Sequence, residues 1–211
     1  MIMRRILFLS LLLTFPFFGQ AQEAIPQRFK AGILVGFNTA QIDGDLSAGF
    51  NKFGLIGGLR GVTILSEKME LSLELLYSQR GSKSDPDEFG IPFKISLNYV
   101  EVPVVFNYLD WQEADGEYYK LHFHAGLSYG RLLGFEIDGG TSGLLELANN
   151  FRDNDLSFLV GATFYANKHF GITARYSRSV FPLFERDDNN TGPNSNAFIG
   201  YFFTFHTVYM F

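Results

Sequence analysis

Three polar residues on one predicted strand have types that could carry out hydrolysis. His122 and His124 are two residues apart, and Ser128 follows on the same face. A histidine can act as the base for a serine nucleophile when an acid orients it. A lipid substrate would require that serine at a lipid-facing or rim position, whereas Ser128 is expected to face the interior. The pattern therefore favours polar filling of an interior, and no catalytic residue is predicted.

Metal and cofactor sites are not predicted either. Two neighbouring histidines lack a close third ligand. The acidic clusters at residues 43–45, 85–88 and 185–190 lack the full spacing of a calcium loop and are predicted to be solvated. Gly54, Gly57, Gly58 and Gly61 lie inside a predicted strand and do not open a helix, so they form no phosphate loop. The chain has no cysteine, which excludes disulfides and thiolate ligands.

The element that must position these side chains is an amphipathic strand. At residues 69–79 the odd positions read Met, Leu, Leu, Leu, Tyr and Gln, while the even positions are Glu70, Ser72, Glu74, Leu76 and Ser78. Period two over eleven residues predicts a strand with one apolar and one polar face. Its length suits a tilted strand that crosses a membrane.

Similar segments recur along the chain and predict eight strands in all. Several bracket small or aliphatic residues with aromatic ones, as in Tyr119 to Tyr129, which is the girdle arrangement of outer-membrane barrels. The 24 phenylalanines and ten tyrosines then have lipid to face. Short connections alternate with long Gly-, Asp- and Asn-rich ones, as in bacterial barrels whose termini are both periplasmic. The predicted strands are residues 29–40, 53–65, 69–79, 93–108, 118–132, 156–167, 170–179 and 197–211.

The fourth predicted strand has an irregular pattern. Ile95, Leu97 and Tyr99 form an apolar face upstream, whereas Val102 and its even-numbered successors form one downstream. If both sets face lipid, a β-bulge near residues 99–100 must restore the facing. This interpretation leaves Glu101 and Pro103 pointing inward.

The N-terminus indicates the compartment. Arg4 and Arg5, an apolar run over residues 6–18 and a small-residue site at Gly19-Gln20-Ala21 predict a cleavable signal peptide at residues 1–21. The mature domain would be residues 22–211. The net charge is −5, and −7 without Arg4 and Arg5, which is the wrong sign for binding nucleic acid. The fold class predicted is all-β: an eight-stranded antiparallel up-and-down transmembrane barrel.

The polar faces of such strands would meet in the lumen. An eight-stranded barrel is just filled by side chains, so opposed charges are expected to neutralise one another and leave no pore. Glu74 and Glu101 are expected to pair with Arg60 and Arg175. The full predicted lumen network is Arg60, Glu70, Glu74, Glu101, Lys120 and Arg175.

The C-terminus alternates towards a final aromatic residue. Phe205, Tyr209 and Phe211 lie on one face of the last predicted strand. Outer-membrane barrels commonly end in this way, and their assembly machinery recognises the ending. These three residues are therefore predicted to form an assembly signal.

Several strings resemble the PorT-like outer-membrane β-barrel family. They are Lys30-Ala31-Gly32 with Gly36-Phe37-Asn38, the run from Leu71 to Gly81, the run from Leu97 to Pro103, and the run from Ala125 to Gly130. The resemblance implies an eight-stranded barrel in the outer membrane. The family's namesake is tied to a protein-secretion and gliding apparatus, and no catalytic residue is implied.

The predicted function is that of a small, closed, non-enzymatic outer-membrane barrel with a structural or surface-recognition role. Its expected partners are outer-membrane lipid and lipopolysaccharide, the assembly machinery, and envelope proteins that meet the external loops. The alternatives are an accessory component of a secretion or gliding apparatus, a lipid-modifying barrel enzyme, and a soluble lipocalin-like barrel. In a lipocalin-like barrel the apolar face would point inward and the face of Glu74 would be wet.

Overall fold

The computed structural model describes residues 28–43, 52–83, 93–114, 116, 118–139, 152–182 and 199–211. No helix among these residues is long and apolar enough to span a membrane. The predicted signal peptide at residues 1–21 lies outside the described residues. The strands are β1 (Phe29–Asp43), β2 (Lys52–Ser66), β3 (Met69–Lys83), β4 (Phe93–Gln112), β5 (Tyr119–Gly139), β6 (Asn154–Tyr165), β7 (Phe170–Ser179) and β8 (Ile199–Met210).

The eight strands close into a ring, as the sequence predicted. Each strand pairs antiparallel with its neighbours in sequence, and β1 pairs with β8. Pairings followed from Phe29 through every strand return to β1 at Thr39, ten residues further along. A stagger of ten residues over eight strands tilts the strands by about 40°. The interior of such a barrel is filled by side chains.

The two ends of the barrel differ in their connections. At one end, here called the turn end, residues 67–68, 113–118 and 166–169 link consecutive strands. The opposite end, here called the loop end, is where the four longer connections leave the strands. The strands extend further at the loop end than the sequence predicted. β5 runs to Gly139 and pairs with β4 over its whole length. The short connections therefore lie at one end and the long connections at the other, as the sequence predicted.

The outer surface of the barrel is apolar. Leu73, midway along β3, has 56% of its surface exposed, and the odd positions around it on β3 are exposed as well. Because the even positions are buried, the exposed face is the one that alternation predicted to meet lipid. The remaining strands repeat the pattern, with exposed Phe37, Leu55, Leu59, Val104, Phe106, Phe123, Leu127, Val160, Phe164, Ile172, Phe205 and Tyr209.

Glycines let the strands approach closely on the inner side. A Cβ on Gly58 would lie 2.0 Å from the carbonyl oxygen of Leu75 on β3, a distance at which the backbone itself would have to move. On the outer side of the same strand, a Cβ on Gly61 would meet nothing nearer than 3.9 Å. Of these two glycines, Gly58 is therefore required by the packing and Gly61 is not.

The predicted bulge in β4 is wrong. Ile95, Leu97 and Tyr99 are buried and share the inner face with Glu101, and the pairing of β4 with β3 keeps one register throughout. The bulge lies in β5, where the register shifts between Asn98 and Tyr99 and leaves Leu133 as the extra residue. The physical reason is that Ile95, Leu97 and Tyr99 pack inside the barrel, while the polar residues Lys94, Ser96 and Asn98 occupy the outer face of this part of β4.

Trp111 is the one non-glycine residue of the described chain with a positive φ. Its φ is 55°, in the left-handed region that bulky residues avoid. The indole is 60% exposed and lies edge-on to Phe164, with ring centroids 6.4 Å apart. Lys120 Nζ lies 5.7 Å from the indole centroid. The unusual φ thus accompanies a ring on the outer surface at the turn end.

Candidate functional site

The middle of the lumen is occupied by one carboxylate between two guanidinium groups. Glu74 on β3 accepts hydrogen bonds from Arg60 Nε and Nη2 on β2, at 2.9 and 2.6 Å. Arg175 on β7 donates to both Glu74 oxygens, at 2.9 and 3.0 Å. All three side chains are buried, and β3 and β7 lie on opposite sides of the ring. The cluster, here called the central cluster, therefore spans the lumen from wall to wall.

The strand alternation explains why these three side chains meet. Arg60 and Glu74 are directly paired residues on adjacent strands, so their side chains leave the same face of the sheet. The bonds are charge-assisted, and the bond pair from Arg175 is bidentate, which is the strongest geometry for such pairs. The arrangement holds the charges in a fixed position and suits structural closure of the lumen.

A second cluster lies towards the loop end and is here called the outer cluster. Arg80 on β3 contacts Glu101 on β4, with 2.7 Å between Nη2 and Oε2, and Asp155 on β6, with 2.6 Å between Nη1 and Oδ2. Ser157 donates to Asp155 at 2.7 Å, and the Arg80 guanidinium lies 4.0 Å from the Phe202 ring centroid. The central cluster has one excess positive charge and the outer cluster one excess negative charge, so the two offset each other.

Glu101 has a different partner from the one expected. The sequence suggested Arg60 or Arg175, whereas the structure pairs Glu101 with Arg80. Asp155 was missed, because the sixth strand was predicted to begin at Leu156, two residues after its observed start at Asn154. Extending the alternation of β6 by one residue would have placed Asp155 on the inner face with Ser157.

Glu70 and Lys120 lie near the turn end, away from the central cluster. Glu70 is buried and accepts a hydrogen bond from Lys30 Nζ at 3.0 Å. Lys120 pairs with Glu113 of the connection between β4 and β5, so the structure does not place it in the lumen network. The bond from Lys120 lowers the pKa of the Glu113 carboxyl, with a smaller contribution from the Ala114 backbone amide. This ion pair is partly exposed, unlike the ion pairs of the central and outer clusters.

His122, His124 and Ser128 do not form a catalytic arrangement with one another. Ser128 donates to Glu101 Oε2 at 3.3 Å, so its partner is a carboxylate and not an imidazole. His124 Nε2 accepts from Arg175 Nε at 3.4 Å, and His122 bonds the Tyr119 carbonyl. Within the described part of the chain, no group of three or more His, Cys, Asp or Glu residues could hold a metal ion.

Of the acidic clusters, residues 85–88 and 185–190 lie outside the described residues, as does the side chain of Asp43.

The predicted assembly signal lies within the described residues. Phe205, Tyr209 and Phe211 are all exposed on the outer surface. Tyr209 lies edge-on to Phe211 and stacks with His169 at the turn end, with centroids 5.7 and 5.8 Å apart. The last strand therefore presents an aromatic face to the surroundings of the barrel.

Comparison with known proteins decides what kind of barrel this is. A family model described as outer membrane protein beta-barrel domain matches residues 18–185, most of the chain. The chain belongs to this family. It is therefore a small integral barrel of the bacterial outer membrane, and its exposed apolar face meets lipid. No curated protein matches it significantly in sequence.

Solved outer-membrane barrels resemble the chain at low sequence identity. Ail of Yersinia pestis is 12% identical, with 87% of this chain and 99% of that chain covered and a TM-score of 0.47. Neisserial surface protein A is 7% identical, with 87% and 97% covered and a TM-score of 0.47. OprG of Pseudomonas aeruginosa is 10% identical, with 87% and 94% covered and a TM-score of 0.42. At these scores the fold assignment rests on the strand pairing and the family match.

Proposed function

We propose that this member of the outer-membrane barrel family is closed to solutes and has no enzymatic activity. The observation that carries the proposal is the central cluster, in which Glu74 is bonded to Arg60 on one wall and to Arg175 on the opposite wall. Charges held this way leave no continuous aqueous path past the middle of the lumen. Both oxygens of Glu74 are also engaged by guanidinium groups, so this carboxylate has no oxygen free to act on a substrate.

Conductance across a planar lipid bilayer tests this proposal. The purified protein is expected to insert without producing discrete current steps, and a heat-dependent gel shift on the recovered sample verifies that it is folded. A variant in which alanine replaces Arg60, Glu74 and Arg175 together removes the cross-lumen bonds and is expected to conduct. Discrete, reproducible openings of the wild-type protein would overturn the proposal.

We further propose that the loop end faces the cell exterior and provides the recognition surface. This orientation puts both chain termini in the periplasm, as short turns on the periplasmic side do in bacterial barrels. Arg131 lies on the outer surface near this end and pairs with Asp153 at 2.8 Å, where lipopolysaccharide phosphates are potential competitors. An epitope tag inserted in the connection between β7 and β8 is expected to be labelled on intact cells. Labelling only after lysis would reverse the orientation.

A second candidate function is that of an accessory component of a PorT-like secretion or gliding apparatus. Two of the strings that resemble the PorT-like family, Leu71 to Gly81 on β3 and Leu97 to Pro103 on β4, lie on adjacent strands. Tyr77 of the first donates to Asn98 of the second at 3.1 Å on the exposed outer surface. An outward-facing polar pair near the loop end is a feature that a partner barrel could contact. Co-purification after mild solubilisation tests this candidate, since a stoichiometric envelope partner is expected only if the accessory role is correct.

The assembly machinery is the remaining proposed partner, through Phe205, Tyr209 and Phe211. Their exposed aromatic face on β8 supports the proposal. Replacing Phe211 by serine is expected to reduce the folded fraction in the outer membrane while leaving refolding into synthetic vesicles intact. Equal loss in both assays would indicate a purely structural role for the residue.

A further inference from the structure

The turn end of the barrel contains a cavity of about 350 Å³. This volume lies within the range of small-molecule pockets. Its lining includes Glu70 and His122, which are both buried, and the rings of Tyr118, Tyr119 and Tyr165. Tyr165 of the cavity wall also contacts Arg60 of the central cluster, whereas Glu74 and Arg175 do not line the cavity. The cavity combines polar groups with aromatic walls, which is the composition of a binding site.

Two hydrogen-bond acceptors converge in this cavity. His122 Nε2 lies 3.2 Å from the Tyr119 carbonyl oxygen, and a carbonyl can only accept, so Nε2 carries the proton. In the neutral imidazole, Nδ1 is then an acceptor. Nδ1 lies 3.9 Å from Glu70 Oε2, too far for a direct hydrogen bond. Two acceptors at this separation suit a ligand that brings two donors of its own.

The charge of the lining favours a neutral ligand. Among the described lining residues, Lys30 and Lys168 oppose Glu67 and Glu70, so two positive side chains balance two negative ones. Glu70 Oε1 is already bonded to Lys30, which leaves Oε2 for a neutral donor. Adjacent hydroxyl groups on a sugar ring are about 3 Å apart and can each reach one acceptor at normal hydrogen-bond length. Tyrosine rings supply apolar faces of the size of such a ring.

We propose that the turn-end cavity binds a neutral saccharide of one or two rings, whose adjacent hydroxyl groups donate to Glu70 Oε2 and His122 Nδ1. The ring packs against the tyrosine side chains, and Lys30 donates to a ring or hydroxyl oxygen. In the orientation proposed above, the site opens to the periplasm. The proposal is independent of lumen closure, because a closed barrel can have or lack such a site.

Saturation-transfer NMR tests the proposal on the full protein in lipid nanodiscs, with cellobiose and N-acetylglucosamine as probes. Maltoside and glucoside detergents must be avoided, since their sugar groups would occupy the same cavity. Transfer to sugar protons is expected for the wild-type protein. His122→Phe keeps the ring that packs 4.6 Å from Tyr165 but removes the acceptor, and is expected to weaken binding about tenfold. Glu113→Gln, outside the cavity at the same end, is the control and should bind normally.

A second measurement does not depend on any variant. The ¹⁵N signal of His122 Nδ1 is expected to show the unprotonated tautomer and to shift when saccharide is added. Absence of transfer to both sugars in the folded wild-type protein would overturn the proposal. It would also be overturned if His122→Phe bound as well as Glu113→Gln, or if only 1,4-diaminobutane bound, since that would make the cavity a cation site.

Discussion

Arg175 on β7 and Glu74 on β3 lie 101 residues apart in the sequence and on opposite sides of the ring, yet two hydrogen bonds of 2.9 and 3.0 Å join them. Through Glu74, Arg175 is also coupled to Arg60 on β2. These bonds link β2, β3 and β7 through the interior of the barrel, although β7 is not adjacent to β2 or β3. This brace spans the polar interior, and it is the basis of the proposal that the barrel is closed to solutes.

Removing the shared carboxylate should destabilise the barrel strongly. Glu74→Ala leaves two buried guanidinium groups without their partner, which is expected to cost about 3–5 kcal/mol in the free energy of unfolding. Urea unfolding from lipid vesicles measures this change. Combining Glu74→Ala with Arg60→Met and Arg175→Met removes the unpaired charges and should recover most of the loss. A single variant as stable as the wild type would mean that water already solvates the arginines.

A charge on the outer face should be costly near the middle of the membrane. Leu73→Arg places a guanidinium in lipid and is expected to cost about 2–4 kcal/mol in bilayer stability. Leu73→Ala at the same position should have a much smaller effect, because an alanine is tolerated by lipid. A loss below a few tenths of a kcal/mol for Leu73→Arg would contradict the lipid-facing position of this side chain.

Two glycines of β2 provide a matched pair for testing the close approach of strands. Gly58→Ala forces a methyl group against the Leu75 carbonyl, 2.0 Å away, and is expected to cost at least about 1–3 kcal/mol. Gly61→Ala has open space and should be neutral or stabilising by about 0.5–1 kcal/mol. Thermal or urea unfolding of the two variants measures the difference. Equal effects would show that the strand does not distinguish its faces at this point.

The left-handed backbone of Trp111 predicts that a glycine variant at this position is more stable than an alanine variant. Trp111→Ala and Trp111→Gly both remove the indole, but only glycine tolerates φ near 55°. Trp111→Gly is therefore expected to be more stable than Trp111→Ala by about 1 kcal/mol. Because the chain has a single tryptophan, fluorescence quenching by brominated lipids also reports the depth of this ring in the wild type. Equal stability of the two variants would mean that the strain is absent in the membrane.

The exposed ion pair at the turn end predicts a titration. Since the Lys120 bond lowers the pKa of Glu113, this carboxyl should titrate below an ordinary glutamate. A depressed carboxyl pKa contributes stability above the unfolded pKa, and that contribution is lost as the pH falls through the folded pKa. Carbon-detected NMR of Glu113 measures the midpoint. Lys120→Met should return it towards the ordinary value, and an unchanged midpoint would assign the shift to another cause.

The alternation of β3 explains why the fold could be predicted from the sequence. Leu71, Leu73 and Leu75 alternate with polar residues without interruption, and the structure exposes the former and buries the latter. The same logic failed on β4, where Ile95 and Leu97 are apolar but point inward. Alternation shows which residues share a face, and it cannot distinguish lipid from an apolar part of the lumen.

The partners within the lumen were harder to predict than the lumen-facing positions. Whether Glu101 meets Arg80 or Arg60 depends on the stagger of the barrel, which brings residues on different strands to the same height. Pairing registers set this stagger, and the sequence pattern of single strands does not contain it. Lys120 illustrates the same limit, because its height places it beside Glu113 at the turn end and not in the lumen.

Site-directed spin labelling tests most directly that the apolar face of the barrel lies in lipid. The chain has no cysteine, so Leu73→Cys creates a single labelling site, and Glu136→Cys on the exposed loop-end part of β5 serves as a reference. In nanodiscs, the label at position 73 should be accessible to oxygen and inaccessible to an aqueous nickel chelate, with the opposite at position 136. An immobile label at position 73 that neither reagent reaches, or one that the nickel chelate reaches freely, would contradict the account.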